Sequence, residues 1–150
     1  MATRTRSLVA LVVVVGLGAS LRAAGVKETV KLTVSGAGLS QAIEITDRSL
    51  LDLSNVFAGT FIGAAAPAPD AASPRFAVAF DIQARDGVRE AAYVLTYSKD
   101  RWTGEGYIYL PGPRDNWYRR NIGTILRDGQ DGTWHRASPA WGDAINKLLP

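Results

Sequence analysis

Phe76-Ala77-Val78-Ala79-Phe80-Asp81-Ile82-Gln83 alternates large apolar residues with small or polar ones along its whole length. Successive side chains on an extended chain point to opposite faces, so this period of two reads as a β-strand. Phe76, Val78, Phe80 and Ile82 share one face. The other face, Ala77, Ala79, Asp81 and Gln83, is small rather than charged, which predicts a central strand covered on both sides. Asp86-Gly87 marks a turn, and residues 91–98 resume the period with Tyr93, Leu95 and Tyr97 on one face.

The same pattern extends outward in both directions. Upstream, Val30, Leu32 and Val34 alternate with Thr29, Lys31 and Thr33, and Ile43 and Ile45 alternate with Glu44. With Ser35-Gly36-Ala37-Gly38 between them, these runs predict an antiparallel hairpin with a loop longer than two residues. Asp47 is placed to cap one or two helical turns over residues 48–53, and residues 56–62 read as a short strand. Downstream, residues 102–110 read as a strand that Pro111-Gly112-Pro113 ends, because proline cannot donate to a ladder. Residues 122–127 and 133–137 are expected as strands flanking the loop Asp128-Gly129-Gln130-Asp131-Gly132.

Two segments break the period. Residues 63–74, rich in alanine and proline, carry no core spacing and predict a surface loop within the domain. Near the end, Ser138 is suited to an N-cap and Pro139 to the first helical turn. Trp141, Ala144, Ile145 and Leu148 then fall on one helical stripe. The expected fold class is α+β, mainly β. Either an antiparallel sheet or a small β-sandwich or barrel carries a short helix after strand 2 and a C-terminal helix.

The first 24 residues read differently. Arg4 and Arg6 precede an apolar run over residues 8–19, and Arg22 stops it. A membrane-spanning helix needs about 20 apolar residues, so this shorter run behind two arginines reads as a secretory signal peptide. Cleavage is expected between residues 20 and 24, leaving a single β-rich domain over residues 25–150. The whole chain has 17 Lys and Arg against 14 Asp and Glu; without Arg4, Arg6 and Arg22 the mature part has 14 of each. Charge therefore gives no support for nucleic-acid binding. The mature chain holds no apolar run of spanning length. The chain has no cysteine, which excludes thiol catalysis and thiolate metal sites, and a domain exported without disulfides must rely on its core.

Catalytic patterns are thin. His135 is the only histidine, with Asp131 and Ser138 near it in sequence. No nucleophile-elbow pattern surrounds any serine, and alternation with Trp134 places His135 on the opposite strand face. A single histidine without cysteine cannot furnish a common zinc set, and residues 128–132 lack the ligand spacing of an EF-hand. Gly104-Glu105-Gly106 precedes a strand, not a phosphate-binding helix. No cofactor, metal or catalytic residue is assigned. The richest candidate for binding is residues 107–121, where Tyr107, Tyr109, Arg114, Trp117, Tyr118, Arg119 and Arg120 surround the rigid Pro-Gly-Pro corner. Aromatic rings and arginine forks are over-represented in contact surfaces. The alternative for the same stretch is packing, with Trp117 as a loop plug and the arginines laid over rings.

Ile43-Glu44-Ile45-Thr46-Asp47, Gly106-Tyr107-Ile108-Tyr109-Leu110-Pro111-Gly112 and Trp134-His135-Arg136-Ala137-Ser138-Pro139 resemble a family of small exported bacterial proteins of unassigned activity. The resemblance implies a bacterial envelope or secreted setting, and carries neither an activity nor a site. The sequence is thus expected to encode an exported, non-catalytic binding or envelope-associated domain. Its expected partner is an envelope or extracellular protein or a glycan. The alternatives are a small hydrolase of cell-wall, carbohydrate or ester substrates, using His135 or a carboxylate pair, and an inhibitor or accessory subunit presenting residues 63–74.

Overall fold

A computed structural model describes residues 28–121 and 131–150, apart from the side chain of Arg120. The signal peptide expected over residues 1–24 and the strand expected over residues 122–127 lie outside the described residues. Among the described residues, seven antiparallel strands form one sheet: β1 (Glu28–Gly36), β2 (Ile43–Ile45), β3 (Ile62–Ala66), β4 (Arg75–Ala84), β5 (Gly87–Lys99), β6 (Gly106–Tyr109) and β7 (Trp134–Ala137). Their order is β2-β1-β4-β5-β6-β7-β3, so β2 and β3 are the edges and β4 and β5 lie inside. The helices among the described residues are α1 (Arg48–Leu53), α2 (Tyr118–Asn121) and α3 (Pro139–Asn146).

The alternating residues set the layers. Leu32 and Val34 of β1, Phe76, Val78 and Phe80 of β4, and Tyr93, Leu95 and Tyr97 of β5 are buried in one cluster with Leu50 and Leu51 of α1 and Trp141 and Ile145 of α3. Phe61 stacks on Phe80 at 5.5 Å and lies 5.3 Å from Trp141. Polar groups inside this layer are paired, as burial demands. Ser54 Oγ accepts from Trp141 Nε1 at 2.8 Å and donates to the Leu50 carbonyl, while the Ser54 carbonyl accepts from Thr29 Oγ1 at 2.6 Å. One serine therefore ties α1, β1 and α3 together. Burial pushes the phenols of Tyr93 and Tyr97 far above their ordinary range, and Tyr97 donates to Asn146 Oδ1 at 2.7 Å.

Asp47 caps α1 as its position predicts, accepting from Leu50 N at 3.1 Å. Ser138 precedes α3, but its hydroxyl makes no capping bond. In place of Leu148, which is exposed, Leu149 completes the buried stripe beyond α3, which ends at Asn146.

Several boundaries differ from the sequence reading; β5 begins at Gly87 and not at residue 91. Residues 56–61 are not strand; Asn55 Oδ1 accepts from Phe57 N and Ala58 N in a turn, and Val56 and Phe61 are buried without a ladder. The strand begins at Ile62 and runs to Ala66 against β7, so the Ala/Pro segment is strand to residue 66 and loop only from 67 to 74. Alanine side chains on an exposed edge leave no core period to read, and main-chain pairing decides the matter. Residues 102–105 are likewise a turn: Asp100 Oδ1 accepts from Trp102 N and Thr103 N, leaving Trp102 73 % exposed.

The small face of β4 is central, as expected, but among the described residues no second layer covers all of it. Ala77 and Ala79 are half-buried on the side away from α1 and α3. Asp81 is buried at an irregularity in the pairing, where it accepts from Ala91 N at 2.8 Å and faces Lys31 Nζ at 3.3 Å. Ala91 sits there at φ 43°, so Asp81 holds a strained backbone position.

Candidate functional site: the open face of the sheet

Ser35, Ala77, Thr96, Tyr109 and Trp134 stand opposite one another on five consecutive strands. Residues in such a lateral row point to the same face, and strands about 4.8 Å apart give the row a span of about 19 Å. This is the face without α1 and α3. Its small residues leave a groove of about 570 Å³, with Ser35, Ala77 and Thr96 as floor and Tyr109 and Trp134 as wall.

The two rings of the wall lie 5.4 Å apart. Arg75 on β4 and Trp134 on β7 are separated by two strands, yet the guanidinium carbon is 5.2 Å from the indole centroid. The two side chains lean together across β5 and β6. At the other end the Tyr109 hydroxyl donates to Asp115 Oδ2 at 2.8 Å, and the same oxygen accepts from Gly112 N at 2.7 Å. Burial, then the Asp115 bond, raises Tyr109 above the usual phenol range, keeping it protonated as the donor.

The Pro-Gly-Pro corner is fixed by close approach. A Cβ on Gly112 would lie 2.8 Å from the Gly132 Cα, which a real side chain cannot tolerate. Beyond the corner the chain returns over the open face. Asn121 is fully buried, accepting from Val94 N at 2.9 Å and donating to the Val94 carbonyl at 2.6 Å. Its amide thus stands in for a neighbouring strand where β5 runs past β6. Val94 is as buried as the core residues but lies outside their cluster. A smaller hollow of about 210 Å³ sits beside this cover, with Asn116 and Trp117 on its rim, and it shares Thr96, Tyr109 and Asp115 with the groove. The two form one trough.

The residues singled out by sequence divide accordingly. Tyr109 lines both hollows and Trp117 the smaller one, 42 % exposed rather than plugged into the core. Tyr107 lies in the adjacent row, its hydroxyl bonded to Glu105 at 3.2 Å and its ring under Arg136. Arg114 and Arg119 are exposed and Tyr118 half-buried, while the Arg120 side chain lies outside the described residues. Sequence reading missed Arg75, Asp115, Trp134 and the floor. Trp134 carried a usable signal, since alternation sets it opposite His135 and on the face of Tyr109.

His135 sits on a different surface. Its Nδ1 lies 3.1 Å from the Gly63 carbonyl, and Nε2 lies 2.8 Å from Asp131 Oδ2 and 3.1 Å from Thr133 Oγ1. A triad needs the acid on one ring nitrogen and the nucleophile on the other. Here one nitrogen faces a carbonyl and Ser138 is not among the partners. Burial alone would raise Asp131, but bonds from Thr133 and His135 outweigh it and hold the carboxyl below its usual range. Among the described residues, no three His, Cys, Asp or Glu side chains cluster as a metal would require. A further hollow of about 610 Å³ lies between α3 and the turn before β6, but no aromatic residue lines it. Its Glu105 and Arg136 neutralise each other in an ion pair. No family model, curated protein or solved structure matches the chain. No described helix is long and apolar enough to cross a membrane.

Proposed function

We propose that the chain is an exported, non-catalytic binding domain whose contact surface is the open sheet face and the 107–121 segment beside it. One observation carries this reading: two hollows on the uncovered face share Tyr109, Thr96 and Asp115, and form an aromatic-walled trough. Sites of this kind are concave and largely apolar, with a few fixed polar groups. The hydrolase alternative is less well supported, because both nitrogens of His135 already have partners.

Export draws its support from the arginine-flanked apolar run of residues 1–24 and the charge-balanced, cysteine-free remainder. A C-terminally tagged chain expressed in a bacterial host is expected outside the cytoplasm, its mass reduced by removal of 20 to 24 residues. An uncut, cytoplasmic product removes the export half of the proposal. For the binding half, Trp117→Ala and Arg119→Ala are expected to melt like the parent while capturing less of a partner from envelope extracts. Unfolding of both variants would assign this stretch to the core.

A further inference from the structure

We infer that the trough takes a neutral glycan chain lying across the strands, an inference that rests on the open face being the binding surface. The first reason is charge. Arg75 enters no ion pair among the described residues and touches only the Trp134 ring. Asp115 is held by Tyr109 and Gly112, with no cation in ion-pair reach among the described residues. The trough therefore presents one charge of each sign, so a polyanion meets Asp115 and a polycation meets Arg75. A neutral ligand meets two groups suited to bonding paired hydroxyls.

The second reason is the disposition of the remaining polar groups. The hydroxyls of Ser35 and Thr96 and the indole N–H of Trp134 have no hydrogen-bond partner among the described residues, yet all three residues line the groove. They border the ring faces of Tyr109 and Trp134. A pyranose ring has the matching pattern, with an apolar C–H face for stacking and hydroxyls around its rim. The third reason is what the site excludes. A peptide commonly binds a sheet by adding a strand to a free edge, whereas β4, β5 and β6 are interior strands with neighbours on both sides. The alanine, serine and threonine floor also offers no deep side-chain pocket. The span of about 19 Å set by the strand spacing suits an extended chain of sugars.

The test is a titration of the full chain, ¹⁵N-labelled, followed at the tryptophan indole N–H resonances. The probes are cellohexaose, chitohexaose and maltohexaose, with polygalacturonate and an uncharged extended peptide as separate arms. At least one neutral hexasaccharide is expected to shift the Trp134 signal while leaving Trp102 in place. Its affinity is expected to fall at least tenfold in Trp134→Ala, Arg75→Ala and Asp115→Asn, and to be unchanged in Trp102→Ala. Trp134→Phe, which keeps a ring and loses the N–H, is expected to lie between parent and Trp134→Ala, and supplies the comparison should the alanine variant fold poorly. Movement of Trp134 by polygalacturonate or peptide, with silence from all three hexasaccharides, overturns the glycan proposal and leaves the binding face standing. Silence in every arm overturns both.

Discussion

The two faces of this sheet are built from the same strands with opposite priorities. On the helix-covered face, Phe61, Phe80, Tyr93, Tyr97 and Trp141 are buried against one another, and the Trp141 indole N–H and the Tyr97 hydroxyl are bonded to Ser54 and Asn146. On the open face, two aromatic rings stand over a floor of small residues, and several polar groups are left unused. One face spends its side chains on cohesion and the other keeps them available. On the open face Val94 is buried beneath Asn121, and Asp81 and Ser98 are buried as well.

This contrast breaks most readily at the covered face. Trp141→Ala removes a fully buried ring and leaves Ser54 Oγ without its donor, so a loss of about 3–5 kcal/mol is expected in urea denaturation. A small loss would mean that α3 is not the lid of the core. Asn121→Ala comes next. It strands a buried N–H and a buried carbonyl on Val94, with an expected cost of about 2 kcal/mol or more. Asn121→Asp should cost at least as much near neutrality, since a buried carboxylate still accepts from Val94 N but sets a second acceptor against the Val94 carbonyl.

A third test separates the faces by pH. Tyr93 and Tyr97 are raised by burial from an ordinary value of 10.0. The unfolded chain releases these protons first, so the stability they contribute is complete below pH 10.0 and is lost as pH climbs above it. Tyr97→Phe should cost about 1 kcal/mol near neutrality, through the lost bond to Asn146. It should also flatten the alkaline fall in melting temperature. An unchanged alkaline limb would argue that Tyr97 is not sealed. The smallest effect belongs to the open face, where Trp134→Ala is expected to cost about 1 kcal/mol, the scale of its ring and cation contacts. A loss matching that of Trp141→Ala would make both faces structural.

What was legible in the sequence follows the same division. Alternation disclosed β1, β4 and β5, because their inward residues are large and their neighbours small or polar. Asp47 and the Trp141–Ile145 spacing disclosed α1 and α3. The strand of Ile62–Ala66 was hidden, since an edge of alanines has no contrast to read. The trough was hidden for another reason. It is assembled by register from five strands, and no spacing along the chain brings Arg75 to Trp134 or Ser35 to Thr96. Within residues 107–121, composition drew notice to the aromatics and arginines, yet the buried residue that seats the segment is Asn121.

The order in which the sheet is laid down has a consequence for the chain as it is made. β1 can pair with β2, and β4 with β5, as soon as each segment emerges. β3 waits for β7, and Ser54 waits for Trp141, 87 residues later. Contacts across such separations form slowly, because the intervening chain must first be brought to order. Phe61 and Val56 therefore have no finished seat until residues 134–146 are present. A growing chain of this design stays open until late in synthesis, and its core closes only once the last helix has emerged.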